Sequence, residues 1–301
     1  MSKNFYRFSD QRVFVGAGNL DQKLSSGSYA MKYDRQSGEA YIEMVANSKI
    51  DKTSKTDQME EILGVVKSFA NNVITDKFAQ HSYKSKFGIL LEGPPGTGKS
   101  QIVNCCVEAF IAAGGLVVFI ADPAVYHSHL AGQYLKKLNT IEPNLPLMVI
   151  LEDLDSVNPQ LEVYLTSILD GEQSPMNTFF LGTTNFMENI SKRILRPGRF
   201  DLIYKVDGLS DEVRKRYIDE KIVEFNLKLT NKKTEEIYTL TEGYNFSEIR
   251  TYMAYIGFFG FEAKNLANKI ARLDKEDPEM GQEAESDEYS DPEDYSNSIE
   301  D

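Results

Sequence analysis

The chain has 301 residues, 41% hydrophobic and 26% charged, with two cysteines and a formal net charge of −13. That length buries a sizeable core and fits one large or two ordinary domains, and the composition is that of a soluble globular protein. Twelve of the 46 acids fall in Glu276–Asp301 with no base among them; the remainder, 34 acids against 33 bases, exerts no global pull toward nucleic acid.

No run of eighteen apolar residues occurs, and the polar start "MSKNFYRFSDQR" lacks a signal-peptide core. The expected setting is therefore cytoplasmic, in a cell or an infected host, without membrane insertion. Residues 1–56 read as a small β-rich region: "RVFVGAG" and "EAYIEMVA" are β-prone pieces between Gly, Ser and Asp-rich turns, and they carry no chemical motif. From Asp57 the spacing turns helical, with Met59, Ile62, Val65, Val66, Phe69 and Val73 on one face.

A strand "FGILLE" follows, then a Gly-rich turn and a helix "SQIVNCCVEAFIAA". The adjacent Cys105 and Cys106 cannot bridge each other in ordinary geometry, and they read as reduced packing residues. The alternation continues through strand "LVVFIAD", a helix around Tyr134–Leu138, strand "LMVIL", helix "QLEVYLTSIL" and strand "TFFLGTTN". Near-continuous apolar strands alternating with helices predict an α/β domain over residues 57–208, with a parallel sheet covered on both faces. After "IYKVDGL" strand signals stop, and "SDEVRKRYIDEKIVEF" and "FEAKNLANKIARL" predict a small all-helical subdomain over 209–273, in which "GFFGF" is a packing joint. Residues 274–301 are acidic, poor in aliphatics and expected to be disordered.

"GPPGTGKS", Gly93 to Ser100, matches G-x-x-x-x-G-K-[ST] between the strand and the helix that a phosphate loop requires. Glycines let the backbone fold so that several N–H groups point at phosphates, and the helix N-terminus adds partial positive charge. The nucleotide-binding set is Gly93, Pro94, Pro95, Gly96, Thr97, Gly98, Lys99, Ser100 and Gln101, with Lys99 reaching the β and γ phosphates and Ser100 ligating Mg²⁺.

With "LEDLD", "LGTTN" and "RPGRFD" in that order and rough spacing, the chain resembles an AAA+ ATPase over residues 57–270, most closely the AAA subfamily proper, with its proteasomal ATPases, membrane AAA proteases and Rieske-protein translocase. The resemblance implies a P-loop NTPase sheet flanked by helices with a helical lid, and ATP and Mg²⁺ as ligands. It also implies a homo-oligomeric ring, a hexamer.

The strand "LMVIL" ends in Glu152, Asp153 and Asp155. A hydrolytic site needs one carboxylate for the metal shell and another to polarise the attacking water. The family's order is Asp then Glu; here it is Glu then Asp, as in the translocase branch. By position Glu152 takes the Mg²⁺, through water, and Asp153 the water-activating role. Asp155 is expected to support the site or a subunit contact. Asn185 falls where the family places the polar sensor of the γ-phosphate, and an amide both donates and accepts there.

By the same resemblance Arg196 and Arg199 are trans-acting fingers on a neighbour's nucleotide, a role suited to guanidinium groups, while Arg193 is a surface charge. "TEGYNFSEIRTY" resembles the family's TEG-aromatic-S-G-A-D helix start, with Ser247 in place of Ala; under another alignment Arg250 is a second sensor rather than a lid surface residue. The best match to a substrate-gripping pore triplet is Leu130, Ala131 and Gly132, without the aromatic, although Tyr126 and His129 are close. His127 and His129, without an acid or Cys nearby, make weak metal ligands.

The expected function is ATP hydrolysis driving remodelling of a macromolecular partner, a protein client first, in the manner of a chaperone. A nucleic-acid motor or loader is the alternative, and a nucleotide-gated scaffold with little turnover is the third reading.

Overall fold

Strands that are apolar on both faces need cover on both faces, and the helices between them provide it. The computed structural model describes residues 4–9, 12–17, 24–46, 56–72, 77–78, 80, 81, 83, 85–120, 125, 130–170 and 175–260. Val73, Tyr126, His127, His129, the helix expected from Phe261 and the acidic tail lie outside them. The described elements run β1 (Asn4–Ser9), β2 (Arg12–Ala17), β3 (Gly27–Asp34), β4 (Glu39–Met44), α1 (Asp57–Ala70), β5 (Lys86–Glu92), α2 (Lys99–Ala112), β6 (Leu116–Phe119), α3 (Leu130–Ile141), β7 (Leu147–Leu151), α4 (Glu162–Asp170), β8 (Thr178–Thr184), β9 (Leu202–Lys205), α5 (Asp211–Glu224), α6 (Asn231–Leu240) and α7 (Phe246–Phe259).

Nine strands form one sheet in the order β1-β2-β4-β3-β6-β7-β8-β5-β9. From β3 outward through β6, β7, β8, β5 and β9 every neighbouring pair is parallel. Side chains alternate faces. Leu147, Val149 and Leu151 of β7 join Leu90 and Phe180 in the cluster under α3 and α4. Met148 and Ile150 join Ile89, Leu91, Phe179 and Leu181 in the cluster under α1 and α2, where Cys106 also packs. Thr56 caps α1 by accepting the Met59 N–H at 3.2 Å, and the helix buries Met59, Ile62, Val66 and Phe69 as its spacing predicts.

The β-rich N-terminal region extends this sheet. β1, β2, β4 and β3 pair antiparallel in that spatial order, and β3 then pairs in parallel with β6, Gly27 opposite Leu116. Tyr29, Met31 and Ile42 complete the core on the α3 side, and the Tyr134 hydroxyl of α3 donates to the Val13 carbonyl at 2.8 Å. These strands thus cover the β6 edge, which would otherwise expose unpaired backbone groups.

The pore-triplet expectation fails here. Leu130, Ala131 and Gly132 open α3, where Ala131 and Gly132 are buried and Leu130 packs against the core, so they are not a loop open to a substrate. Among the described residues no helix is long and apolar enough to cross a membrane.

The three C-terminal helices pack around Tyr217, Ile218, Ile237, Tyr244, Ile249, Tyr252 and Met253. Arg214 is buried at their centre, where it donates to the Tyr238 carbonyl at 2.6 Å and the Thr241 hydroxyl at 2.8 Å and pairs with Asp211. The "GFFGF" joint is mixed: Gly257 fits against the Phe225 ring, while Phe258 and Phe259 are 70% and 66% exposed.

The "RPGRFD" loop is seated on β5. Asp201 accepts from the Gly88 N–H at 2.9 Å and the Gly198 N–H at 3.0 Å, and its own N–H donates to Gly88 O at 2.8 Å. A Cβ on Gly88 would lie 2.1 Å from the Arg199 carbonyl oxygen, so only glycine admits this approach. Gly88→Ala is therefore expected to lower stability by about 1–3 kcal/mol, the usual cost of forcing atoms into a packed interior. The shift of its urea-unfolding midpoint measures this, with Gly64→Ala, which has open space at its Cβ inside α1, as the control expected to shift the midpoint the other way by about 1 kcal/mol of helix propensity.

Candidate functional site

Three strand ends meet at one edge of the sheet. β5 runs into the phosphate loop, β7 into Glu152 and Asp153, and β8, hydrogen-bonded between them, into Asn185. Ligands of open parallel sheets bind outside such carboxyl ends. Gly96 and Gly98 have φ of +80° and +103°, a region that side chains with a Cβ avoid. No side chain caps α2 at Gly98, which leaves the first-turn N–H groups to an anion.

Lys99 is 7% exposed. Its ammonium donates to the carbonyls of Gly93 and Pro94, the latter at 2.9 Å, and to Asn185 Oδ1 at 2.8 Å. Burial draws its pKa below the ordinary lysine value, and the negative charges of Asp153 and Asp155 act against that. Asn185 uses its other amide atom too, Nδ2 donating to Asp153 Oδ1 at 3.4 Å. Lysine, sensor amide and carboxylate are thus linked in series before any ligand arrives.

Asp155 holds this chain in place. Its Oδ1 accepts from the Thr184 hydroxyl at 2.8 Å and from the Asn185 N–H at 2.9 Å, which fixes where β8 ends and where the Asn185 amide starts. Neighbouring Asp153 adopts left-handed backbone, φ +50°, and its N–H donates to the Thr183 hydroxyl at 3.1 Å. Asp and Asn tolerate that region several-fold better than most residues. The inverted Glu–Asp order therefore puts the shorter acid where the chain must turn.

Glu152 is exposed at the cleft surface, yet partial desolvation raises its carboxyl pKa above the usual range, with the Asp153 charge adding to the effect. Glu152, Asp153 and Ser100 line one cleft of about 410 Å³. This set of hard oxygen donors fits Mg²⁺, which keeps most of its waters and takes one or two protein groups plus phosphate oxygens. Among the described residues no group of three or more His, Cys, Asp or Glu is placed to hold a metal, so Mg²⁺ here would depend on the phosphates for part of its shell. Behind Glu152 lies a second chamber of about 350 Å³, where Ala30, Val45 and Ala46 of the N-terminal region face Ser100, Asn104 and Glu152. The N-terminal region thereby reaches the Glu152 side of the site.

The phosphate cleft also receives Arg250, Ser247 and Phe246 from α7. On the other side of the loop a cleft of about 490 Å³ is lined by Thr56, Met59, Ile102, Asp207 and Leu209, among others, and it contains Thr97, Gly98 and Gln101 of the loop. Gly93, Pro94, Pro95 and Gly96 complete the same turn. Arg196 and Arg199 are not brought to this cleft. Arg199 lies against Gly88 near the start of β5, five residues and roughly 16 Å of strand before the phosphate loop, and its guanidinium donates to the Arg193 carbonyl. Sequence reasoning missed Thr183, Tyr217 and Phe246; the N-x-x-E capping pattern of Asn245 and Glu248, realised as a reciprocal cap, was the signal that marked the start of α7.

A Gly-rich phosphate cradle joined to strand-end carboxylates and a polar sensor on a parallel sheet defines a P-loop nucleoside triphosphatase module. Residues 89–207 match the ATPase family associated with various cellular activities (AAA). That match spans the phosphate loop, the strand-end acids, Asn185 and the "RPGRFD" loop. The chain is 27% identical over 267 residues to the ATP-dependent zinc metalloprotease YME1 homolog of Schistosoma mansoni, covering 83% of this chain and 37% of that protein. It is 24% identical over 270 residues to the ATP-dependent zinc metalloprotease FtsH of Bacillus subtilis, covering 84% and 39%. To an AAA ATPase forming ring-shaped complexes from Kocuria rhizophila it is 24% identical over 243 residues, covering 67% and 42%. The chain thus spans about two fifths of the length of these relatives. Among solved structures, the FIGL-1 AAA domain in complex with ADP shares the fold, with a TM-score of 0.52 at 20% identity over 76% of this chain and 82% of that one.

Asp155 supplies a test of how the sensor is positioned. Asp155→Ala removes the acceptor of both Thr184 and Asn185 and is expected to lower kcat of ATP hydrolysis by roughly 10- to 100-fold, the scale of a misplacement of about 1 Å, with a smaller change in KM. Asp155→Asn retains an acceptor oxygen and should recover part of the loss. Steady-state kinetics separate the two parameters, and an unchanged kcat in Asp155→Ala would refute the positioning role.

Proposed function

We propose that the chain is an ATP-driven remodelling machine that works as a homo-oligomeric ring, a hexamer, on a protein partner. The observation that carries this reading is a division within the site. The phosphate loop, Glu152, Asp153 and Asn185 meet in one cleft, while Arg199 lies against Gly88 in the first half of β5 and Arg196 is tied to it through the Arg199 N–H. A subunit arranged this way has no arginine of its own "RPGRFD" loop at its phosphates, and a second copy would complete it. The name of the ring-forming relative supports the assembly, and the protease relatives support a protein as the substrate of the work.

In this reading Lys99 exchanges its carbonyl partners for phosphate oxygens, and Ser100 and Glu152 hold the Mg²⁺ shell. Bound Mg²⁺ neutralises charge on the phosphates and orients them. Asp153 takes the proton of the attacking water, and Asn185, already bonded to Asp153 and Lys99, aligns that water with the γ-phosphate. Arg196 and Arg199 of a neighbour stabilise charge on the transferred group, a contribution worth about 10³ to 10⁵ in rate where such fingers act.

Trans action is tested by mixing. Lys99→Ala and Arg199→Ala are each expected to lose nearly all ATPase activity, and mixed rings of the two to regain part of it, because some interfaces pair an intact phosphate loop with an intact finger. No recovery in rings shown to be mixed would refute trans action. The partner is tested by trapping. Asp153→Asn, which keeps a residue tolerant of the left-handed backbone, should bind ATP and hydrolyse it slowly, and the material that copurifies identifies the client. A nucleic acid in place of a protein would favour a motor or loader. If Glu152→Gln traps ATP and Asp153→Asn does not, the roles of the two acids are reversed.

A further inference from the structure

The two clefts beside the phosphate loop share one aromatic side chain. Phe246 lines both of them, as do Gly98 and Gln101 of the loop. Its ring lies on the α-carbon of Gly98: a Cβ built there would be 3.0 Å from Phe246 Cδ2 and 3.2 Å from Cε2. Its backbone N–H donates to the Gly96 carbonyl at 3.1 Å. Behind it, Tyr217 of α5 meets the Phe246 ring edge-on, with centroids 5.0 Å apart and planes at 78°. The contact joins the lid to the loop through backbone and ring together.

A nucleotide cannot use both clefts without passing this ring. Its phosphates belong beside Lys99 and Ser100 in the polar cleft, and the other space beside the loop is the second cleft, where Met59, Ile102 and Leu209 offer apolar wall to a base among polar neighbours that include Asp57, Lys205 and Arg216. The link between the two parts is the sugar, which must cross the Gly98 and Phe246 divide. In the family pattern quoted above, Phe246 falls on the Gly of S-G-A-D, so the aromatic is a feature of this chain.

We propose that Phe246 is a nucleoside latch: its ring covers the sugar and adjoining base of a bound adenine nucleotide and, because it opens α7, transmits occupancy of that half of the site to the lid. Tyr217 is the positioning residue that keeps the ring over Gly98. The latch contacts the nucleoside and leaves the phosphate cradle to the loop. It rests on the reading of Gly93–Ser100 as a phosphate cradle.

The test compares a nucleotide with its phosphates alone. ADP and inorganic tripolyphosphate, each with Mg²⁺, are titrated into the 301-residue chain and into Phe246→Ala, Phe246→Leu and Phe246→Tyr by calorimetry, with thermal unfolding of the unliganded proteins as the check on folding. Phe246→Ala is expected to weaken ADP by about tenfold or more, the scale of a lost aromatic contact together with its buried area, and to leave tripolyphosphate affinity within about twofold. Phe246→Tyr should restore ADP binding and Phe246→Leu should restore it in part. Equal loss for both probes would make Phe246 a support of the loop and overturn the latch, as would unchanged ADP affinity in Phe246→Ala. Wild-type protein that binds neither probe would overturn the phosphate-cradle reading and the latch with it, an outcome distinct from a failure of the latch alone.

Discussion

A buried ammonium must find acceptors inside the protein, and Lys99 finds three: two carbonyls of its own loop and the side-chain oxygen of Asn185. Three is also the number of protons it has to donate. The loop carbonyls turn inward because the chain around them is tightly curved, with left-handed backbone at Gly96 and Gly98. Asn185 is available because β8 ends beside β5, and Asp155 anchors that end through Thr184 and the Asn185 N–H. Each part of the site that handles phosphate or water is therefore tied, within a bond or two, to the needs of one cation. The arrangement is preorganised, and electrostatic stabilisation benefits from groups that need not reorient at the moment of reaction.

The sheet explains why the polar groups collect at one edge. β7 and β8 are buried along their whole length, so a carboxylate within either would lie in an apolar layer at high cost. At the strand ends the same groups reach solvent and one another. The N-terminal strands serve that edge in two ways. Its pairing with β6 covers the backbone at the side of the sheet, and the chain leaving β4 walls the chamber behind Glu152. A region without a chemical motif thereby bounds the Glu152 side of the site, and its packing bears on how much water surrounds that carboxylate.

What the sequence made legible follows from how local each signal is. The parallel strands were legible because both faces are apolar, and the phosphate loop because its spacing is short and its flanking strand and helix are adjacent. The pairing of Gly27 with Leu116 joins residues far apart in the chain, and no local pattern announces it. The role of Asp155 depends on the end of β8, thirty residues away, so its acid alone did not reveal its partners. Leu130–Gly132 was misread for a different reason: the triplet resembled a motif, while Ala131, Leu135 and Leu138 already marked the buried face of a helix. The Glu–Asp inversion was visible, but the left-handed backbone that favours the shorter acid at the second position was not.

The lid meets the phosphate loop through backbone as well as side chain, and this determines what its movement can do. Two helices begin at the same cleft, α2 at Lys99 and α7 at Phe246, and each carries partial positive charge at its first turn. Asn245 and Glu248 satisfy part of the N-terminus of α7, and the Phe246 N–H spends itself on Gly96. A lid displacement that broke this bond would withdraw a helix N-terminus and Arg250 from the phosphate cleft together and would open the wall between the two clefts. Charge stabilisation and nucleotide access are thus coupled to one rigid-body coordinate. The Arg214 hub, with bonds to the Tyr238 carbonyl and the Thr241 hydroxyl, ties α5 to the end of α6, and Tyr217 carries that tie to the Phe246 ring. A displacement of α5 is therefore linked to the phosphate loop through the Tyr217–Phe246 contact and the Phe246 N–H bond to Gly96.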